Sequence, residues 1–304
     1  MTKIKAWVSA ARLRTLPLSV SGILVGSACA YNATHTASNY WWIFSLAMLT
    51  TLLLQILSNF ANDYGDGVKG TDNHTRVGPQ RAVQSGVISA AEMKVGVIVT
   101  ALLSLVSAVV LIYVAFGQEH FITSLFFFVL GVAAVAAAIK YTVGASAYGY
   151  RGLGDLFVFI FFGLVSTLGA YYLYTQTFGW LEILPAIAIG NLSIAVLNLN
   201  NMRDRESDQA SGKNTLVVLL GAAKAKIYHY SIVITALLAI FIYALVVGMP
   251  WYRLMFVIAY LPFVKHLLVV IRNKDPKKLD PEMKRVALGT FFLALLFSLA
   301  LTNI

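Results

Sequence analysis

Leu181-Glu-Ile-Leu-Pro-Ala-Ile-Ala-Ile-Gly-Asn-Leu-Ser-Ile-Ala-Val-Leu-Asn-Leu199 carries no charge after Glu182 and runs straight into Asn200-Asn-Met-Arg-Asp-Arg-Glu-Ser-Asp208. About 20 apolar residues are what a helix needs to cross a bilayer. Inside the bilayer the backbone must satisfy its own hydrogen bonds, which a helix does within one segment. The short alternating segments of a β-barrel are absent. The block therefore predicts a membrane helix that ends in a dense polar cluster. Similar blocks recur along the 304 residues, of which 59% are hydrophobic and only 12% charged. The chain is expected to be an all-α polytopic membrane protein, one transmembrane domain over residues 1–304. Nine spans are predicted, at roughly 16–33, 41–61, 95–116, 121–139, 153–175, 181–200, 227–248, 251–271 and 286–302.

Charge tests that count. With the N-terminus inside, 21 of the 23 Lys and Arg residues fall in inward segments, Lys265 falls within a span, and only Arg253 lies outside. This asymmetry is what the positive-inside rule requires. The expected topology is a cell (inner) membrane protein with its N-terminus cytoplasmic and its C-terminus external. Lys3, Lys5, Arg12 and Arg14 precede an apolar run, but no small-residue cleavage site follows, so the segment is expected to be retained. Ile4, Trp7 and Val8 beside these charges suggest a short interfacial helix. Tyr40, Trp41, Trp42, Trp180 and Trp251 fall where an external aromatic belt would sit. The net charge of +10 lies next to an anionic inner leaflet and calls for no nucleic acid. Cys29, the single cysteine, excludes an intramolecular disulfide.

Eleven of the thirteen acidic residues face inward. Asn59, Asn62, Asp63 and Asp66 fall at i, i+3, i+4 and i+7, one face of a helix. Asn200, Asp204 and Asp208 form a second such stripe at the end of the sixth span. Each stripe leads into a cluster of Gly, Lys and Thr, such as Gly212-Lys213-Asn-Thr215, and the pair reads as a pseudo-repeat. Asp and Asn at helix ends also serve as caps, but a cap needs one residue, and here a whole face is polar twice. Hard carboxylate oxygens suit magnesium, which takes one or two carboxylates together with phosphate oxygens and water. Lys69, Arg76, Arg81, Arg203 and Lys213 are then candidate phosphate contacts, or charges that only set topology. Asp155, at the start of the fifth span, reads either as an acceptor-orienting carboxylate or as one favoured by the helix dipole. His74 and His229 have no metal-ligand spacing between them. A cation-coupled secondary transporter is the alternative class, although its ionisable groups would be expected nearer the midplane.

Three blocks resemble the UbiA superfamily of intramembrane aromatic prenyltransferases: Asn59-Phe-Ala-Asn-Asp-Tyr-Gly-Asp-Gly-Val-Lys-Gly-Thr-Asp72 with Arg76-Val-Gly-Pro-Gln-Arg81; Tyr141-Thr-Val-Gly with Tyr150-Arg-Gly-Leu-Gly-Asp155 and the run Phe157–Gly163; and Asn200 to Leu216. The second acid of the first motif falls on Asp72 rather than Gly70, as in the branch that prenylates 1,4-dihydroxy-2-naphthoate. The resemblance implies a nine-helix fold and Mg2+ held by Asp66, Asp72, Asp204 and Asp208 around the diphosphate of a polyprenyl diphosphate. It implies support from Asn62 and Asn200, and places Lys69, Arg203 and Lys213 near the phosphates. Tyr141 would face a prenyl carbocation, and segments 62–94 and 201–226 would cap the site. Carbon dioxide would leave, giving a demethylmenaquinol for menaquinone biosynthesis. Another aromatic acceptor, such as 4-hydroxybenzoate, is the alternative substrate.

Overall fold

A computed structural model describes residues 2–34, 39–71 and 78–302. Thr2 caps a short helix, α1 (Lys3–Ala10), whose Ile4 and Val8 are exposed while Ala6 and Ala10 are buried. Among the described residues nine helices follow that are long and apolar enough to span a membrane. These are α2 (Leu16–Thr34), α3 (Tyr40–Lys69), α4 (Ala90–Phe116), α5 (Phe121–Lys140), α6 (Gly154–Thr175), α7 (Ile183–Ala210), α8 (Leu216–Val246), α9 (Trp251–Arg272) and α10 (Pro276–Thr302). The chain is a polytopic membrane protein.

Each predicted span has its helix, and several helices outrun the apolar stretch that revealed them. Helix α3 has 30 residues, about 45 Å at 1.5 Å per residue, against a hydrocarbon core of about 30 Å. Hydropathy registers where lipid ends, whereas the backbone ladder continues until something breaks it. For α3 the break is Gly70, in the left-handed conformation at φ 70. Helix α7 continues to Ala210, Gly212 turns at φ 70, and Thr215 caps α8 by accepting the N–H of Val218. The connection expected over 201–226 is thus helical except at 211–215 and at the kink of Gly221, φ 73.

Helix α7 lies at the centre, packed on α6, α8 and α10. Small residues permit this. A Cβ on Gly163 of α6 would sit 2.7 Å from the Cα of Gly190 of α7, and one on Gly26 of α2 would sit 2.2 Å from the Thr167 carbonyl. Without a hydrophobic drive between helices in lipid, close backbone approach of this kind supplies the packing. Helix α6 is π-helical over Phe159–Gly169, a geometry often found at functional sites. Helix α5 is peripheral, with Ala137 its one buried residue. Trp41, Trp42, Trp180 and Trp251 are exposed as expected of a belt, but Tyr40 is not. Tyr40 turns inward, stacks on Tyr174 and donates to the Ser27 carbonyl at 3.0 Å.

Candidate functional site

The two polar stripes converge at one end of the bundle, and each has a divided task. On α3, Asn59 donates to the Ala11 carbonyl at 2.9 Å and so holds the turn after α1. Asp63 accepts the backbone N–H groups of Ala82 and Val83 at 3.1 and 3.0 Å, folding segment 78–88 back onto the helix. Asn62 accepts from the Thr142 hydroxyl at 3.3 Å, and its carbonyl accepts from Arg81 at 2.9 Å. Asp66 is buried and receives Arg81 Nη1 at 2.6 Å and the Tyr150 hydroxyl at 2.7 Å.

On α7, Arg203 donates from Nε and Nη2 to the two oxygens of Asp204, at 2.8 and 2.6 Å. It also reaches Asn200 at 3.0 Å and Asp280, at the start of the helical part of α10, at 2.5 Å. Such a two-point fork fixes the guanidinium plane. Asp208 is buried, with Lys213 Nζ 3.6 Å from one oxygen, while its Oδ2 has no hydrogen-bond partner. Burial opposes the charged form of Lys213, but the carboxylates of Asp66 and Asp208 outweigh it, and the ammonium pKa lies above the ordinary lysine value. One cation from the second motif thus answers acids from both. Lys69 Nζ stands 4.0 Å above the ring of Tyr150. Asp72 and Arg76 lie outside the described residues.

A cavity of about 700 Å3 opens at this end, lined by Asp66, Arg81, Asn200, Arg203 and Lys213. It continues between the helices over Phe127, Phe161, Phe162, Leu111 and Leu173. Tyr141, Tyr148, Phe157 and Phe161 form an aromatic ladder along its wall, with Tyr148 and Phe157 stacked at 4.0 Å. Burial first, then Asp155 and Asp66, push the Tyr141 phenol above its usual pKa, so it stays neutral. Phe126 and Phe128 face outward from the bundle. Asp155 is buried at the start of α6, bonded to the Tyr228 hydroxyl, with its Oδ2 unpartnered.

Among the described residues no group of three or more His, Cys, Asp or Glu side chains forms a self-sufficient metal cage. Magnesium needs none, because it commonly keeps water and substrate phosphate in its shell. The unpartnered Asp208 oxygen fits such an ion. Sequence reasoning missed Tyr148, Tyr150 and Asp280, whose importance comes from partners on remote segments.

A membrane bundle with acidic helix ends above an aromatic, otherwise apolar cavity defines an intramembrane enzyme for a lipid-tailed polar substrate. The chain belongs to the UbiA prenyltransferase family, whose profile matches residues 20–301. It is 44% identical to a 1,4-dihydroxy-2-naphthoate octaprenyltransferase of Haemophilus influenzae, covering 98% of this chain and 96% of that one. It is 40% identical to the enzyme of the same name from Escherichia coli, covering 99% and 96%. Among solved structures, a UbiA homolog from Archaeoglobus fulgidus bound to DMAPP and Mg2+ superposes with a TM-score of 0.59 at 18% identity, covering 96% of this chain and 99% of that one. A digeranylgeranylglyceryl phosphate synthase structure gives 0.61 at 16% identity over both whole chains.

Proposed function

We propose that the enzyme transfers a polyprenyl chain from polyprenyl diphosphate to 1,4-dihydroxy-2-naphthoate, releasing diphosphate and CO2 and forming demethylmenaquinol for menaquinone biosynthesis. The observation that carries this reading is the convergence of both acidic helix ends on Lys213 at the head of one cavity. The family and the full-length relatives support it from outside the geometry.

Asp66 and Asp208 are the proposed principal holders of Mg2+, with Asp72 completing the first motif. Asp204 is committed to Arg203 and would join them only on releasing it. Bound Mg2+ would neutralise charge on the departing diphosphate. Lys213, Lys69, Arg81 and Arg203 supply further positive charge there, while Arg76 is proposed from its motif alone. Asn62, Asp63 and Asn200 hold these groups in place. The apolar cavity takes the prenyl tail and excludes water from the allylic carbon. As the C–O bond breaks, the faces of Tyr141 and its aromatic neighbours stabilise the developing cation. The acceptor ring carbon that bears the carboxylate forms the new bond to the allylic carbon; the ring–carboxylate bond then breaks, CO2 leaves, and the electron pair of the broken bond restores aromaticity. Asp155 is proposed to orient the acceptor.

The membrane is proposed to be the cell (inner) membrane, with the acidic end cytoplasmic. The test is purified protein with Mg2+, a polyprenyl diphosphate and either 1,4-dihydroxy-2-naphthoate or 4-hydroxybenzoate, followed by mass analysis of the lipid product. Prenylated naphthol with pyrophosphate release is expected. Prenylation of hydroxybenzoate alone would overturn the acceptor, and vesicle uptake without pyrophosphate release would overturn the enzyme reading.

A further inference from the structure

Tyr150 lies in the 3-10 turn Tyr148–Arg151, between α5 and α6, and touches both halves of the pseudo-repeat. Its hydroxyl donates to Asp66 Oδ1 at 2.7 Å. Its one proton is thereby used, so the Thr71 hydroxyl, 2.6 Å away, donates to it. Its carbonyl accepts the N–H of Asn214, next to Lys213, at 3.1 Å. The ring carries Lys69 Nζ at 4.0 Å and Lys213 Nζ at 5.5 Å from its centroid. Lys69 belongs to the first acidic motif and Lys213 follows the second. Two ammonium groups that share one ring repel each other, and at Lys213 the carboxylates of Asp66 and Asp208 offset that repulsion.

We propose that Tyr150 is a positioning residue for the diphosphate site: its ring seats one lysine from each motif where both can reach phosphate oxygens, and its hydroxyl aims Asp66. This rests on the prenyl-diphosphate reading above. A lysine ammonium is a point charge on a flexible stem, and ordering it costs rotamer freedom. A ring that holds it beforehand removes that cost from substrate binding. The hold is weak by comparison with a charge-assisted contact to phosphate, so the lysine can leave the ring when the donor arrives.

Two variants separate the ring from the hydroxyl. Tyr150→Phe keeps the platform and frees Asp66; the Mg2+ concentration for half-maximal rate is expected to rise several-fold, with a smaller change in donor KM. Tyr150→Leu removes both, and donor KM is expected to rise about tenfold as well. A second readout needs no turnover: thermal stabilisation of the detergent-solubilised enzyme by Mg2+ with inorganic pyrophosphate. For Tyr150→Leu the pyrophosphate midpoint is expected about tenfold higher than for the wild type. Because the ring acts through lysine, adding Lys69→Gln to Tyr150→Leu is expected to cost far less than the two single effects combined. An active wild type whose Tyr150 variants keep its Mg2+, donor and pyrophosphate midpoints overturns the inference, as does full additivity with Lys69→Gln. If Tyr150→Leu fails to give a monodisperse protein, an unshifted Mg2+ requirement in Tyr150→Phe is sufficient to overturn it. A wild type that releases no pyrophosphate from any polyprenyl diphosphate would instead sink the functional reading.

Discussion

Asp66 and Asp208 come from helices separated by three other spans, yet both act on the ammonium of Lys213. Exchanging either for Asn keeps size and shape while removing one negative charge. Asp66→Asn and Asp208→Asn are each expected to lower kcat/KM by about a hundredfold or more, the scale of losing one preorganised charged contact. Pyrophosphate release measures this, and an unchanged elution profile in detergent shows that the fold survives. Wild-type turnover in either variant would dismantle the shared metal site. Lys213 has a raised pKa, so its charge is complete below the ordinary lysine value of about 10.4 and is lost only as pH rises through the higher folded value. Activity lost between about pH 8 and 9 would therefore not report on Lys213. The helical stripe Asn59, Asn62, Asp63 and Asp66 is legible in the sequence from spacing alone. Its division of labour is not. Asn59 and Asp63 spend their polar groups on the Ala11 carbonyl and the N–H groups of Ala82 and Val83, and leave Asp66 facing the cavity. Backbone partners folded in from elsewhere leave no mark on side-chain periodicity.

Between helices, one buried chain of polar groups runs across four of them. Asn198 of α7 meets His229 Nδ1 of α8 at 3.1 Å, His229 Nε2 meets His266 Nε2 of α9 at 2.7 Å, and His266 Nδ1 meets Glu282 of α10 at 2.7 Å. Glu282 also accepts from Arg285 at 2.5 Å. Both imidazoles are fully buried, so each contact replaces water that cannot reach. One proton must lie between the facing Nε2 atoms, because two lone pairs would repel. His266→Leu leaves a buried Glu282 oxygen and a His229 nitrogen unpaired, at a cost of about 3 kcal/mol or more. A lower thermal midpoint in detergent is the expected result. His229→Leu with His266→Leu is expected to cost less than the sum of the two, because residues in one network couple. Strict additivity would mean that the rings contribute separately. The sequence shows no metal-ligand spacing between His74 and His229, and spacing along the chain leaves no mark of the His266 ring that His229 meets in space. The same limit explains the helix ends. Apolar runs reveal lipid contact, so α3 and α7 seemed to stop where their polar, functional turns begin.

At the scale of the whole molecule, the acidic end and the tryptophan end must lie in different compartments. The cavity follows from that division. A polyprenyl tail is as apolar as lipid and its diphosphate is strongly hydrated, so the head of the cavity belongs at an interface and the remainder among the helices. The positive-inside rule predicts which interface: segments rich in Lys and Arg would place the acidic end on the cytoplasmic side. Cys29 is buried in α2, and its replacement by Ala leaves the nearby Tyr243 hydroxyl its Glu182 partner at 3.3 Å. In that background, Gln209→Cys and Gln118→Cys each introduce one exposed thiol, the first beside the acidic end and the second on the connection between α4 and α5. With a membrane-impermeant maleimide and sealed right-side-out vesicles, Gln118→Cys is expected to label at once and Gln209→Cys only after permeabilisation. The reverse pattern would turn the bundle over and expose its acidic end to the outside. Metal, diphosphate and acceptor would then all have to arrive from the opposite compartment, against the orientation that the positive-inside rule predicts for these basic segments.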